Sequence, residues 1–347
     1  MAARIALNAL ALRPGGSGVQ TYIRELLRVL PGTVDAELVA AVQADAVDEL
    51  PGAVAPRVRP VAAGARRALA GLRGLGPSDL VHGLDVDLPL RPGAPTVATV
   101  HDLSVFDVPW AFSRRRAAGE RLLVRRSLHR AEAIIAVSAF TARRVRELFG
   151  RDATPIPLAP SLDMRPPRPD AVEGVRARYG LPRRFVLHVG TIEPRKDVAT
   201  LAEACHRVPV PLVLAGARVP GAAAPSGARA LGYVPRSDLA PLYGAATVVA
   251  YPSLYEGFGL PPVEAMACGA VVLASRAASL PEVLGDAAAF ARPRDADGLA
   301  LALRALLGDP DRRAHLAAAA VEQARRYSWS ETAEATAAVY RSLGVAA

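Results

Sequence analysis

Two glutamates, Glu256 and Glu264, stand eight positions apart in the stretch YPSLYEGFGLPPVEAMACGAVVLAS. Between them lie Gly257, Gly259 and the pair Pro261-Pro262. Proline lacks the N–H that a helix interior needs and biases the preceding residue away from helical angles. The stretch therefore reads as a strand, a tight loop and a helix. Pro261 and Pro262 suit the first helical positions, where a missing N–H costs nothing, and Glu264 is expected in the first turn. The glycines permit backbone angles and close approaches that other residues forbid. Outward-facing N–H groups in such a loop and first turn make a site for phosphate. Glutamates beside a phosphate would repel it, so they should address another part of the same ligand. Sugar hydroxyls fit, because a carboxylate accepts hydrogen bonds from neighbouring OH groups. A helix start with one dipole-favoured glutamate and one unrelated loop glutamate fits the residues alone equally well.

A second strand–turn–helix stretch, LHVGTIEPRKDVATLAEA, places Arg195 and Lys196 near a helix start. Cations there oppose the helix dipole, and a bound anion would reverse that sign; a solvated basic pair is the alternative. A third, LALRPGGSGVQTYIRELLRVL, has Gly15, Gly16 and Gly18 immediately before a helix. It is not a GxGxxG fingerprint, and a glycine loop alone is more often just a turn. His101, at a strand end in VHDL, is either a core histidine or a ligand contact. The basic run Ser113–Arg130 reads as a helix with Arg114, Arg121 and Arg125 on one face and Arg115, Arg126 and Arg130 on another. It is either a solvated helix or a surface for anionic lipid or a phosphorylated acceptor.

Composition narrows the classes. The 347 residues suffice for two ordinary domains, and a net charge of +9 favours an anionic partner. No aromatic interleaving or known module accompanies the charge, so nucleic acid is not expected. Cys205 and Cys268 read as two buried thiols in a reducing compartment. There is no CxxC, HExxH or histidine cluster, so no metal is expected. The three-letter match Asp85-Val86-Asp87 is too short to change that. No apolar run is long enough for a membrane span. Arg4, Asn8 and Arg13 interrupt the N-terminal apolar stretch, which reads as a first core strand rather than a leader. A cytoplasmic protein is expected, with peripheral contact at the inner membrane face if the basic helix docks there.

Short apolar runs alternate with helical patterns along nearly the whole chain. RIALNAL, AELVAAV, DLVHGL, TVATVHDL and AEAIIAVS read as strands in the first half. RFVLHVGTI, PLVLAGA, ARALGYV, TVVAYPS, AVVLAS and AAAFA do so in the second. Strands buried on both faces, with helices between them, predict parallel sheets. The proline-dense segment DMRPPRPDAV, residues 163–172, marks the expected linker between two doubly wound α/β domains. Ligand sites in such folds lie at the carboxyl ends of strands, so the expected site faces an interdomain cleft. From Asp295 onward three consecutive helices are expected, the last capped by Ser330.

Taken together, GGSGVQTYIREL, TVHDLSVFDVP, AIIAVSAFT, VGTIEPRKD, LGYVPRSDLAPLYGAA and YPSLYEGFGLPPVEAMACG resemble the retaining nucleotide-sugar glycosyltransferases of family 4, with the glutamate loop as that family's E-x7-E motif. The resemblance spans essentially the whole chain in order. It implies the GT-B fold: two Rossmann-like domains, residues 1–165 on the acceptor side and 166–329 on the donor side, with 330–347 as a helix crossing back to the first. It implies that Glu264 holds the donor ribose, that Glu256 contacts the transferred sugar, and that Arg195 and Lys196 bind the diphosphate. Gly16 would approach the phosphates, and His101 would lie near the transferred sugar. Gly190, Phe258, Gly259 and Leu260 would line the donor site, with Gly232 to Val234 bordering the base. The implied reaction moves a hexose from a nucleoside-diphosphate sugar to an acceptor hydroxyl, lipid-linked or phosphorylated among the options, without metal or cofactor. Two departures stand out: Asp197 where the family commonly has Asn, and Val271 where it favours Pro. A GT-B epimerase would want further acids and histidines for proton abstraction. A phosphorylase would want a lysine for pyridoxal phosphate, and Lys196, the only lysine in the sequence, is already assigned. A non-catalytic nucleotide-sugar-binding subunit is the remaining rival.

Overall fold

The computed structural model describes residues 3–15, 18–219, 221 and 223–345. The chain divides into two compact units, one formed by Met1–Leu158 with Ser328–Ala347, the other by Ala159–Tyr327. The proline-rich segment 163–172 lies just inside the second unit.

The first unit contains strands β1 (Ala3–Asn8), β2 (Ala36–Gln43), β3 (Val54–Arg59), β4 (Leu80–Gly83), β5 (Thr96–Val100), β6 (Ala133–Ala136) and β7 (Thr154–Pro155). They form one parallel sheet in the order β3-β2-β1-β4-β5-β6-β7. Its helices are α1 (Val19–Val29), α2 (Gly64–Gly71), α3 (Ser104–Asp107), α4 (Arg114–Arg130) and α5 (Ala139–Phe149). β4, β5 and β6 are buried almost throughout, as their continuous apolar runs require. β3 was not legible as a strand. It lies at the sheet edge with most of its residues exposed, so it carries no apolar run, and edge pairing tolerates Pro56.

The second unit contains β8 (Val186–Val189), β9 (Leu212–Ala215), β10 (Arg229–Gly232), β11 (Val248–Tyr251), β12 (Val272–Ser275) and β13 (Ala289–Ala291). All six expected strands are present, parallel, in the order β10-β9-β8-β11-β12-β13. Its helices are α6 (Pro169–Tyr179), α7 (Val198–Arg207), α8 (Arg236–Ala245), α9 (Leu260–Ala267), α10 (Leu280–Leu284), α11 (Ala296–Gly308) and α12 (Pro310–Ala324). Its core is built from residues such as Leu201, Leu214, Leu273 and Leu303. Both cysteines are buried and unpaired, and burial pushes both thiols up to about 12. Among the described residues no helix is long and apolar enough to cross a membrane.

Both sheets reverse strand order once, between β1 and β4 and between β8 and β11. Loops leaving the carboxyl ends of such strand pairs are where doubly wound folds bind ligands. The chemistry-bearing stretches follow these strands: the glycine loop follows β1, the Arg-Lys turn follows β8, and the glutamate loop follows β11.

The last helix, α13 (Trp329–Ser342), belongs to the first unit. It is capped by Ser328, whose side chain accepts from the Glu331 N–H, and not by Ser330. The Ser-x-x-Glu spacing from Ser328 to Glu331 is the signature of a capping box, and Ser330 already lies inside the helix. Trp329 and Tyr340 are fully buried, and the Trp329 ring lies 6.2 Å from that of Tyr22 on α1. Replacing Trp329 with Ala removes a large buried ring and should destabilise the first unit by about 3–5 kcal/mol. Urea titration comparing the variant with wild type checks this.

Candidate functional site

In the second unit β8 runs out at Val189, and the chain turns at Gly190, whose φ of 151° suits glycine. The N–H of Gly190 donates to Ala215 O. A Cβ on the neighbouring Gly216 would lie 2.1 Å from Gly190 O, so only glycine allows the ends of β8 and β9 to meet this closely. The chain then forms a short 3-10 turn, Pro194–Lys196, and reaches Asp197 in the left-handed conformation, φ 50°. Asparagine, aspartate and glycine tolerate that conformation best, which explains why Asp can stand where Asn is common. Its Oδ1 accepts from Thr200 Oγ1 at 2.8 Å.

The turn presents two cations to the loop that follows β11. Lys196 Nζ lies 2.5 Å from Glu256 Oε1, and Arg195 Nη1 lies 3.2 Å from Glu256 Oε2. Arg195 also donates to the Tyr255 carbonyl at 2.9 Å and pairs through Nε with Glu193 at 2.7 Å. The backbone joins in, since Leu254 N–H donates to Arg195 O. Ser279 Oγ donates to the Glu256 carbonyl at 2.9 Å. Burial alone would push the Glu256 carboxyl up, but the charges of Lys196 and Arg195 outweigh it and hold it at about 2. Burial pulls the Lys196 ammonium down, and Glu256 offsets part of that. Glu256 is therefore a charged hydrogen-bond acceptor at neutral pH and has no proton to give.

The loop closes at Gly259, φ 93°, where a Cβ would sit 2.8 Å from Leu280 Cδ2. α9 begins at Leu260, so Pro261 and Pro262 occupy its second and third positions, and Glu264 falls in the second turn rather than the first. The two prolines have no N–H, which concentrates the donors of this helix start on Gly259 and Leu260. Glu264 is buried and accepts from Ser161 Oγ at 2.8 Å. Phe258 is buried with its ring edge-on to Tyr327 at 5.4 Å. Val234 is buried just beyond β10, beside the exposed Tyr233.

In the first unit His101 follows β5 and is half-buried. Its Nε2 lies 2.9 Å from Leu84 O. A carbonyl can only accept, so Nε2 carries the proton and Nδ1 is the nitrogen left for a ligand. Gly83 makes this possible: a Cβ there would meet the carbonyl oxygens of Asp85 and Asp87 at 2.7 Å. Gly16 lies outside the described residues.

Much of the basic helix α4 is committed to its own unit. Arg121 Nε donates to Val105 O at 2.7 Å, and Arg126 donates to Leu88 O and Pro89 O at 3.0 and 2.9 Å. Arg130 reaches Leu90 O, while Arg121 and Arg125 both lie over the Phe106 ring. Arg114 and Arg115 remain exposed, with Leu122 exposed beyond them.

Sequence reasoning did not single out Glu193, Ser161 or Ser279, which hold Arg195, Glu264 and Glu256. Glu193 lies inside the quoted TIEPRKD, so its alternate-position spacing from Arg195 was available as a signal. Ser161 stands 103 positions from Glu264, and no local pattern links them.

Comparison with known proteins follows the same division. Residues 16–161 match the family model described as Glycosyltransferase Family 4, and residues 176–323 match Glycosyl transferases group 1. The chain is 36% identical over 284 residues to the O-antigen chain mannosyltransferase B of Escherichia coli, covering 76% of this chain and 74% of the relative. Among solved structures, a sucrose-phosphate synthase from Thermosynechococcus elongatus superposes with a TM-score of 0.79 at 23% identity over 99% of this chain and 100% of the other. The Anabaena protein HepE, solved in complex with UDP and glucose, gives 0.76 at 19% identity, again covering 99% of this chain and 100% of the other.

The depressed Glu256 pKa has a definite sign in stability. A carboxyl that ionises more readily when folded contributes stability that is fully present above its ordinary 4.5 and is lost as pH falls through about 2. The stability of wild type relative to Lys196→Met should therefore fall as pH drops from 4.5 towards 2. Urea midpoints across that range test it; a constant difference would mean that Glu256 ionises independently of Lys196.

Proposed function

The chain belongs to glycosyltransferase family 4 and is a glycosyltransferase of the GT-B fold, and we propose that it moves a hexose from a nucleoside-diphosphate sugar to an acceptor hydroxyl with retention of anomeric configuration and without a metal. The carrying observation is the buried cluster of Lys196, Arg195 and Glu256 at the ends of β8 and β11. The UDP and glucose in the complex of the HepE fold neighbour support a nucleotide-sugar donor.

Breaking the bond between the anomeric carbon and the phosphate oxygen leaves negative charge on the departing diphosphate. Fixed cations aimed at that charge lower the barrier, and here Arg195 and Lys196 supply them, with the N–H groups of Gly259 and Leu260 at the start of α9 as further donors. A diphosphate leaves as a stable anion, so no acid need protonate it, consistent with a Glu256 that has no proton to give. Glu256 instead accepts from hydroxyls of the transferred sugar, and Glu264 from those of the ribose. Two cations already draw on the charge of Glu256, which makes it a poor nucleophile while leaving lone pairs for sugar hydroxyls. The acceptor oxygen then bonds to the anomeric carbon on the face the diphosphate leaves, and its proton passes to a phosphate oxygen. His101 offers Nδ1 to a hydroxyl of the transferred sugar.

Thermal stabilisation by UDP, GDP, dTDP and ADP tests the donor reading. A nucleotide at a hundred times its Kd should add about 2.7 kcal/mol of stability. One nucleotide should produce the shift, and Lys196→Ala and Glu264→Ala should abolish it; no shift with any of the four overturns the reading. Turnover should also survive chelation by EDTA. Loss of turnover that Mg²⁺ restores would show that the cation pair does not suffice.

A further inference from the structure

Four buried polar groups in the first unit form one continuous chain. Tyr340 OH, on α13, lies 2.7 Å from His82 Nδ1 on β4. His82 Nε2 lies 2.8 Å from Thr99 Oγ1 on β5, and Thr99 Oγ1 lies 3.2 Å from Tyr22 OH on α1. His82 and Thr99 are wholly inaccessible, and Tyr22 is 2% exposed. Polar groups so deeply buried are costly unless every one is partnered. The chain ends on His101: the Tyr22 ring meets the His101 ring edge-on, 4.7 Å between centroids at 72°.

The chain is also directional. Burial and the nearby His101 pull the His82 pKa down to about 3, so His82 is neutral, with one nitrogen donating and the other accepting. The hydroxyls on either side must therefore be ordered, which restricts the rotation of each. Tyr22 is fixed at both ends, through its hydroxyl by Thr99 and through its backbone N–H by Gly18 O at 3.0 Å, at the start of α1. A phenol held at both ends is a fixed wall for the imidazole against it. The ring that leans on that wall is the one whose Nε2–H must reach Leu84 O.

We propose that Tyr22 is a positioning residue for His101, and that its own position is set through Thr99 and His82 by Tyr340 of the last helix. The inference rests on the reading of His101 as a sugar contact. Its consequence is that a hydroxyl on α13 sets the geometry of a substrate-contacting imidazole that it does not touch.

The test uses the full chain. Tyr22→Phe keeps the ring and removes its anchor, and Tyr340→Phe removes the far end of the chain. Each should lower kcat about tenfold with donor KM within about twofold, the pattern of a misplaced group rather than a lost binding contact. In long-range ¹H–¹⁵N spectra, wild-type His101 should show the Nε2–H tautomer, and both variants should shift or broaden that signal. The double variant should be no slower than the slower single, because both cut one chain. Wild-type kcat and an unchanged His101 signal in both variants would overturn the proposal, as would fully multiplicative losses in the double. His101→Ala separates the two readings. If it retains full kcat, the sugar-contact assignment fails, while the His101 signal in the tyrosine variants still decides whether Tyr22 positions the ring.

Discussion

A carboxylate buried between two cations governs the second unit. Glu256 could not remain charged there without Lys196 and Arg195, and the Lys196 ammonium could not be buried without Glu256. Removing charges from water costs several kcal/mol per ion, so such a cluster adds little net stability, and breaking it is expensive. What it does is fix register. Two loops that leave different strands, one after β8 and one after β11, are pinned at a single arrangement by three side chains and the Leu254–Arg195 backbone bond. Counting Glu193, the cluster holds two acids and two bases, so it is balanced within itself and both cations are held in one orientation. The division of labour between the cations follows from their shapes. Arg195 uses its fork to hold Glu193, Tyr255 O and Glu256 together, whereas Lys196, a point charge, adjusts with less geometric demand.

The same architectural rule places chemistry in both units. Each sheet reverses its strand order once, and the loops at the reversal carry the unusual residues. Glycine does related work at these turns: Gly83 lets a carbonyl reach His101, Gly216 lets two strand ends meet, and Gly259 lets α9 begin against Leu280. At Gly83 and Gly216 a side chain would collide with backbone that cannot easily move, and at Gly259 the positive φ itself disfavours one. Within each unit these turns are thus shaped by missing atoms as much as by the charged groups, and the charged groups keep their places because the backbone around them has few alternatives.

The sequence exposed the fold wherever burial is two-sided. β4, β5, β8, β9, β11 and β12 are continuous apolar runs, and each was readable. β3 and β7 were not: β3 has most of its residues exposed and contains a proline, and β7 is only two exposed residues long. The helix after the glutamate loop was legible from Pro261-Pro262, but its starting residue was not: Gly259, not proline, sets the boundary, which moved Glu264 one turn inward. Ser328 and Ser330 are both capping types, and only the glutamate three residues on distinguishes them. Partners acting over long separations left no trace. His82 lies in a strand whose neighbours read as core, and nothing local announces a hydroxyl 258 positions away.

The membership of α13 in the first unit bears on how this chain is made. The second unit is one contiguous segment, Ala159–Tyr327, and has everything it needs as soon as that segment has left the ribosome. The first unit is discontinuous: its sheet is synthesised first, yet Trp329 and Tyr340, which fill and partner its interior, emerge last. Domains generally fold in the order they are made, N-terminal first. Here that order is inverted for completion. The earlier sheet must wait with His82 lacking its phenol and an apolar face uncovered while the later unit closes, which makes the interval before residues 328–342 appear the time when a nascent chain most needs a chaperone.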